Sequence, residues 1–268
     1  MNGARATPAH VVSNGRAREA SRALPEEVPV ALVYNGTTQA VMMATPCDLE
    51  DFGRGFTRTE GLGEVDSLEV VTHPKGIEVQ MWLPDDRAEA LAARRRAMAG
   101  PVGCGLCGID SLEQAERDLP RVTRDVVLTA AQVAEAMTAL RAGQHLHDRT
   151  RAVHGAGFYQ PGVGLGTVRE DVGRHNALDK MIGAVGVADA GAAVLTSRVS
   201  VEMVQKCAMA DIPVILAVSA PTTLAVKTAE AANITLAALA RDHTFELFTH
   251  PSRIETLTTP AKDAPDVA

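Results

Sequence analysis

Cysteine is scarce in this chain: four residues (Cys47, Cys104, Cys107 and Cys207) among 268. That is too few for a disulfide scaffold, and only two of them are neighbours, so a reducing compartment is expected. An excess of positive charge is missing as well. The formal net charge of -7 argues against a protein whose main task is to coat nucleic acid, while leaving room for a local basic pocket that takes an anion. No apolar run approaches the roughly 20 residues of a membrane span. The opening MNGARATPAHVVSNGRAREAS contains no continuous apolar h-region, and the expectation is a cytoplasmic protein that does not enter a membrane. Internal repeats and low-complexity linkers are absent between 25 and 250. Neither a Walker-type Lys-Ser/Thr nor the glycine fingerprint of a dinucleotide site occurs.

What is present is enough apolar material, 46% of residues, for one large core or two small ones. Residues 1–24 are rich in Ala, Arg, Gly, Ser and Asn without periodicity and predict an arm lacking regular structure, as does the tail 256–268. VPVALVYNG and TQAVMMAT flank Asn35-Gly36 and predict a hairpin. Asp48 is placed to cap a helix running to about Thr59, with Glu50 and Asp51 in its first turn. LEVVTH and IEVQMWL read as strands, followed by a helix over about 85–98. From 126 the rhythm changes: AAVLT, PVILAVSA and ITLAALA are strand-length apolar runs separated by helical stretches, which predicts a parallel βαβαβ sheet covered by helices. Pro221 suits the first turn of the helix after the second run, and Asn233 suits its end. The chain therefore divides into an arm (1–24), an α+β part (25–125), an α/β core (126–255) and a tail (256–268).

The most chemically pointed segment is GCGLCG. Cys104 and Cys107 are hemmed by Gly103, Gly105 and Gly108, so the backbone bends freely and nothing bulky shields the sulfurs. Asp110 and Ser111 followed by Glu113 and Gln114 read as a capping box, which sets the thiols just before a helix N-terminus where the thiolate is favoured. Three chemistries compete. A thioredoxin-like site belongs near the start of a βαβ unit. A zinc site needs four ligands, so Cys47, Cys207 or histidines would have to converge from afar. A mobile sulfur carrier fits the glycines best. Two cysteines serving as small hydrophobes do not fit them.

REDVGRHNALDK, residues 169–180, mixes two arginines, a histidine, a lysine and three acids. Such mixing commonly means a solvated helix laced with ion pairs. Gly173, however, would let Arg174 and His175 reach outward together toward a phosphate or carboxylate. His154, in RAVHGAGF, reads as a packed histidine. Ser197, Arg198 and Ser200 stand where a strand gives way to a helix, and SAPTT (219–223), beginning at Ser219, repeats that geometry. Two such openings on adjacent parallel strands share one sheet edge and could line one pocket for an anion.

At these residues the chain resembles the formate dehydrogenase accessory sulfurtransferase family, the FdhD family. GCGLCGIDSLEQ is similar to its cysteine loop, REDVGRHNALDK to its central signature, and SVEMVQKCAMADIPVILAVSAPTTLAVKTAE to its C-terminal block. The resemblance extends over about 25–250. It implies an α/β fold with a cytidine-deaminase-like three-layer core and a smaller α+β N-terminal part, and a homodimer. It also implies transfer of sulfur from a cysteine desulfurase to the molybdenum cofactor, bis-molybdopterin guanine dinucleotide, that a formate dehydrogenase catalytic subunit receives. Under the resemblance Cys104 bears the persulfide and Cys107 assists. The cofactor, as bound substrate with no permanent metal, would contact the second-half pocket and the stretch His243, Thr244, Phe245, Glu246, Leu247 and Phe248. Thr196-Ser197-Arg198 departs from the family's Ser-Gly-Arg, Arg54 and Arg58 stand where apolar residues are expected, and Ala240-Arg241-Asp242-His243 replaces a glycine-rich run. The implied fold also raises a zinc-dependent deaminase. Its chemistry needs His-x-Glu and Pro-Cys-x-x-Cys, but His154 is followed by Gly155 and Ala156, and Gly103 precedes Cys104. A cofactor chaperone without sulfur chemistry is the remaining alternative.

Overall fold

The computed structural model describes residues 3–89, 91, 119–186, 190–241 and 243–256. The Cys104/Cys107 loop, most of the helix expected over 85–98, the capping box after Asp110 and nearly all of the tail lie outside the described residues. Among the described residues, no helix is long and apolar enough to cross a membrane.

The chain opens with a correction. Residues expected to lack regular structure form β1 (Ala4–Ser13) and β2 (Arg16–Pro25), paired antiparallel in a sheet of their own. The turn is Asn14-Gly15, both residues at positive φ (51° and 75°), the same device that joins the next two strands. There, β3 (Val28–Tyr34) and β4 (Thr37–Ala44) meet across Asn35-Gly36 as predicted. With β5 (Ser67–His73) and β6 (Gly76–Trp82) they build a four-stranded sheet in the order β4-β3-β6-β5. One face of that sheet, including Val30, Leu32, Tyr34, Val79 and Met81, packs on α1 (Leu49–Thr59) through Phe52 and Phe56. Asp48 does sit at the N-cap of α1. It caps nothing with its side chain, however, because its backbone is left-handed (φ 51°).

The second half holds a six-stranded sheet in the order β13-β12-β11-β10-β8-β9. Its centre is the predicted parallel set, β10 (Ala192–Leu195), β11 (Val214–Ala217) and β12 (Thr235–Arg241), the first two only as long as their buried apolar runs. Antiparallel strands flank it: β8 (His154–Gln160) and β9 (Gly164–Asp171) on one side, β13 (Thr244–Thr249) on the other. The sheet is therefore mixed. A short pair, β7 (Leu128–Thr129) with β14 (Ile254–Glu255), brings the two ends of this half together.

Both faces are covered. Side chains alternate so that Ala193, Leu195, Ile215, Ala217 and Leu236 face α4 (Arg174–Val185), α5 (Val201–Met209) and α6 (Thr223–Ala231). Ala192, Val194, Val214, Leu216 and Ala237 face α2 (Ala130–Gly143), which is held at its start by a Thr129/Gln132 capping box. A short helix α3 (His145–Thr150) follows α2. The result is a three-layer α/β core with a smaller α+β part attached. Pro221 lies before the N-cap of α6, not within its first turn, and makes a bridge to Val199. Asn233 ends α6 as expected, at φ 62°.

Candidate functional site

Two polar networks fix the start of α4. Asp171, at the end of β9 and fully buried, accepts hydrogen bonds from Lys180 Nζ (2.6 Å), Thr45 N (2.9 Å), Gly173 N (2.7 Å) and Asn176 Nδ2 (3.0 Å). Lys180 also donates to Thr45 O (2.9 Å), and Asn176 to Met43 O (2.9 Å). One turn on, Asp179 accepts from Lys206 Nζ (2.8 and 2.9 Å) and Thr59 Oγ1 (2.8 Å). Residues 169–180 are thus no solvated helix: Asp171, Asp179 and Lys180 are buried and satisfied, tying β4 and α1 to the second half. Arg58, at a position expected from the sequence to be apolar, has a structural use. It donates to Gly186 O and to Glu64. Arg54 is exposed.

This scaffold leaves particular groups unspent. Arg174 Nε, His175 Nε2, Ser200 Oγ and Glu202 Oε2 are buried atoms without a hydrogen-bond partner. Leaving such groups desolvated and unpaired costs about 1–3 kcal/mol each, which makes their cluster the candidate binding site. Arg174 and His175 open α4, whose N-cap Gly173 offers no side chain, and Ser200 is the N-cap of α5 without a side-chain cap bond. His175 Nε2 lies 4.0 Å from Glu202 Oε2. Burial first, then Arg174, push the His175 imidazole down to about 4. It is therefore a neutral donor and acceptor near pH 7.

The sheet places further candidates beside this cluster. Parallel strands β10, β11 and β12 all end on the same edge, where antiparallel β8 and β13 begin. Hence Arg198 after β10, Ser219 after β11, His243 and Thr244 before β13, and His154 at the start of β8 share one rim. The two strand-to-helix openings are joined directly: Val199 N donates to Ala220 O (3.3 Å) and Thr222 N to Val199 O (3.0 Å). Arg198 is exposed, whereas Ser197 is buried and donates to Arg198 O (3.0 Å). Beside Ser219, β12 carries a bulge with Leu239 at φ 54°, a left-handed backbone for a non-glycine residue that is retained where local geometry matters. His154 is half-buried at the rim, not packed away, and burial and then Arg174 hold its imidazole below the ordinary range.

Not every expected contact converges. Phe245 and Leu247 turn into the core facing α2. Glu246 and Phe248 alternate to the opposite side farther down β13. Of that stretch only His243 and Thr244 reach the rim. Ser200 was visible in sequence as part of a helix opening. Glu202 was not, because an acid in a first helical turn ordinarily just complements the dipole. Among the described residues, no group of three or more His, Cys, Asp or Glu is placed to hold a metal ion.

The two described cysteines are poorly placed for sulfur chemistry. Cys207 lies on the buried face of α5, and burial pushes its thiol up to about 12. Cys47 is half-buried beside Gly3, and burial is the main cause of its raised pKa. Since the thiolate is the nucleophile, neither is built to react.

The fold and rim define a class: an α/β protein with polar side chains gathered at the carboxyl ends of its parallel strands, the edge where open α/β sheets bind ligands. A family profile places it more narrowly. The match to the FdhD/NarQ family spans residues 25–255, and the chain belongs to that family. It is 55% identical over 242 residues to a protein named sulfur carrier protein FdhD from Agrobacterium fabrum, covering 87% of this chain and 89% of the relative. It is 56% identical over 246 residues to the protein of that name from Brucella abortus, covering 88% and 91%. Among solved structures, a putative formate dehydrogenase accessory protein from Desulfotalea psychrophila matches with a TM-score of 0.74 at 27% identity, over 94% of this chain and 99% of that one.

Proposed function

We propose that this chain is a sulfurtransferase that carries a persulfide on Cys104 from a cysteine desulfurase to bis-molybdopterin guanine dinucleotide, in the service of a formate dehydrogenase. The observation that carries the ligand half of this reading is the cluster of unspent buried groups, Arg174, His175, Ser200 and Glu202. A guanidinium, a neutral imidazole, a hydroxyl and a carboxylate together suit a ligand that brings both an anion and N–H donors, as a guanine nucleotide does. Arg198, Ser219, His243 and Thr244 extend the rim. From Arg198 after β10 to Thr244 on β13 is three strand spacings, about 15 Å, a span for an extended nucleotide-bearing cofactor and not for a lone phosphate. On this reading a cytidine-deaminase-like core has exchanged hydrolysis for cofactor handling.

The sulfur half rests on the relatives' name and on elimination: with Cys47 and Cys207 unsuited, Cys104 and Cys107 are the remaining thiols. The Cys104 thiolate attacks the terminal sulfur of the donor's persulfide. A Cys104 S–S bond forms, the donor's S–S bond breaks, and the donor leaves as thiolate, so no net oxidation occurs. Cys107 assists release, as the family resemblance implies. The test is intact mass after incubation with a desulfurase and cysteine. Wild type should gain about one sulfur, ~32 Da, while Cys104→Ala should not. Normal loading of that variant sinks the carrier assignment. Loading lost while dehydrogenase activation persists would favour a chaperone without sulfur chemistry. In parallel, Arg174→Ala should weaken GMP binding in calorimetry about tenfold or more, and unchanged affinity would return the rim to a structural role.

A further inference from the structure

The four unspent buried groups are not interchangeable. Arg174 Nε can only donate, Ser200 Oγ and His175 Nε2 can donate or accept, and an ionised Glu202 can only accept. Among the described residues, Glu202 Oε2 is the one carboxylate oxygen that is buried without a partner. Two acids nearby in the fold have theirs. Asp171 takes hydrogen bonds from Lys180, Thr45, Gly173 and Asn176, and Glu170 takes Leu146 N (2.7 Å) and His147 N (2.8 Å). Ser200, two residues before Glu202, is only 9% exposed and its hydroxyl is likewise unmet. Position in the helix does not account for Glu202. As the second residue of α5 it complements the helix dipole, but an acid that served only the dipole could stay in water. Here the side chain is 24% exposed and Oε2 is buried. Burial alone would raise its carboxyl, yet its surroundings, His175 and Arg174 among them, hold it below the ordinary range, so it is a carboxylate at pH 7.

A phosphate suits Arg174 and Ser200 but repels a carboxylate, so an anion alone cannot satisfy the cluster. What Glu202 lacks is a donor. Its Oε2 lies 4.0 Å from His175 Nε2, too far for the two to bond and near enough for one flat ring edge to meet both. Nucleobase edges differ on this point. Adenine and cytosine each set an amine beside a ring nitrogen that accepts. Hypoxanthine offers O6 and N1–H, and xanthine holds N1–H between two carbonyls. Guanine alone runs acceptor, donor, donor: O6, N1–H and the N2 amine. Its two adjacent donors match the two oxygens of a carboxylate as an arginine fork does, and O6 then falls to the neutral imidazole.

Given a guanine-nucleotide site at the rim, on which this step rests, we propose that Glu202 selects the base. Its carboxylate accepts from N1–H and the N2 amine while His175 donates to O6, and the pair prefers guanine to adenine, hypoxanthine, xanthine and cytosine. Arg174 and Ser200 are left for the anionic part of the ligand. A base that lacked the two donors would leave a buried carboxylate unpaired, which is how a site rejects a near-isosteric ligand.

The test is calorimetry of the full chain with GMP, IMP, XMP, AMP and CMP, independent of any sulfur chemistry. Wild type should bind GMP about tenfold tighter than IMP, which lacks only the N2 amine, and about a hundredfold tighter than XMP, AMP and CMP, each of which turns a lone pair toward the carboxylate. Glu202→Gln should weaken GMP about thirtyfold and bring GMP and IMP within about threefold of each other. The same variant should strengthen XMP about tenfold, because an amide can donate to the xanthine O2 while accepting N1–H. Glu202→Asp, which keeps the carboxylate, should keep the GMP-over-XMP order. His175→Ala should weaken GMP and IMP by similar factors, since both carry O6. Each readout is a ratio between ligands on one folded preparation, so lost stability does not mimic it. A wild type that binds GMP, IMP and AMP alike, or a Glu202→Gln variant with wild-type selectivity, overturns the role of Glu202 while the cofactor site stands. A wild type that binds none of the five overturns both.

Discussion

His175 shows how one side chain can be conspicuous in sequence yet change its meaning in the fold. Beside Arg174 it reads as one of two groups reaching for an anion, but burial and that same guanidinium lower its pKa from 6.5 to about 4. Between those values the unfolded chain binds a proton that the folded chain does not, so the folded state loses stability as the pH falls from about 7 toward 4. The loss is at most about 3 kcal/mol, less whatever solvent screening relieves at a side chain still 23% exposed. His175→Gln, which removes the titration and keeps polar groups, should flatten this part of the acid limb. Urea midpoints at pH 7, 5 and 4 measure it, and parallel curves for the two proteins would refute the account. Glu202 illustrates the opposite case. A first-turn acid is unremarkable until the fold sets it against an imidazole from another helix.

At the scale of elements, α1 and α4 meet backbone to backbone. A Cβ on Gly55 would lie 1.7 Å from Asp179 O, and one on Gly183 would lie 1.9 Å from Asp51 O. Neither neighbour is a flexible side chain that can swing aside, so the helices must separate. Gly55→Ala and Gly183→Ala should each cost about 3 kcal/mol or more, whereas Gly166→Ala, where a Cβ meets nothing within 4 Å, should be neutral or slightly stabilising. Thermal unfolding midpoints of the three variants decide it. This crossing was not legible in the sequence, because a glycine in a helix says nothing about which backbone approaches it. What was legible is what local pattern determines: the short apolar runs of β10, β11 and β12, the Asn35-Gly36 hairpin and the span of α1. The first hairpin escaped because small and charged residues alternate there without an apolar face. Its turn signal, Asn14-Gly15, was nevertheless the one that located the second hairpin. The antiparallel flanks β8, β9 and β13 escaped although β8/β9 and β12/β13 are local hairpins closing at Gln160↔Gly164 and Arg241↔Thr244: two glycines in each of β8 and β9 dilute their strand signal, and β13 reads from sequence only as a contact stretch.

For the whole molecule, the question is what holds the α+β part in register with the sheet that carries the rim. The Asp171–Lys180 pair is central: both side chains are fully buried, and between them they bind Thr45 at the end of β4 through its amide and its carbonyl. From sequence, Asp171 and Lys180 were two charges in a mixed run. Only the fold makes them a joint between Thr45 and the first turn of α4, more than 120 residues away. Replacing a buried ion pair by apolar groups can be nearly neutral, but removing one partner strands the other charge at a cost of about 3–5 kcal/mol. Lys180→Met should therefore shift the urea midpoint strongly, and Asp171→Leu in the same chain should recover part of the loss. Because the same joint positions Gly173 and the two residues after it, Lys180→Met should also weaken GMP binding at temperatures where the variant remains folded. A rigid joint predicts that stability and affinity fall together and recover together. If Lys180→Met unfolded earlier but bound GMP with wild-type affinity while folded, the pair would stabilise the protein without orienting the rim.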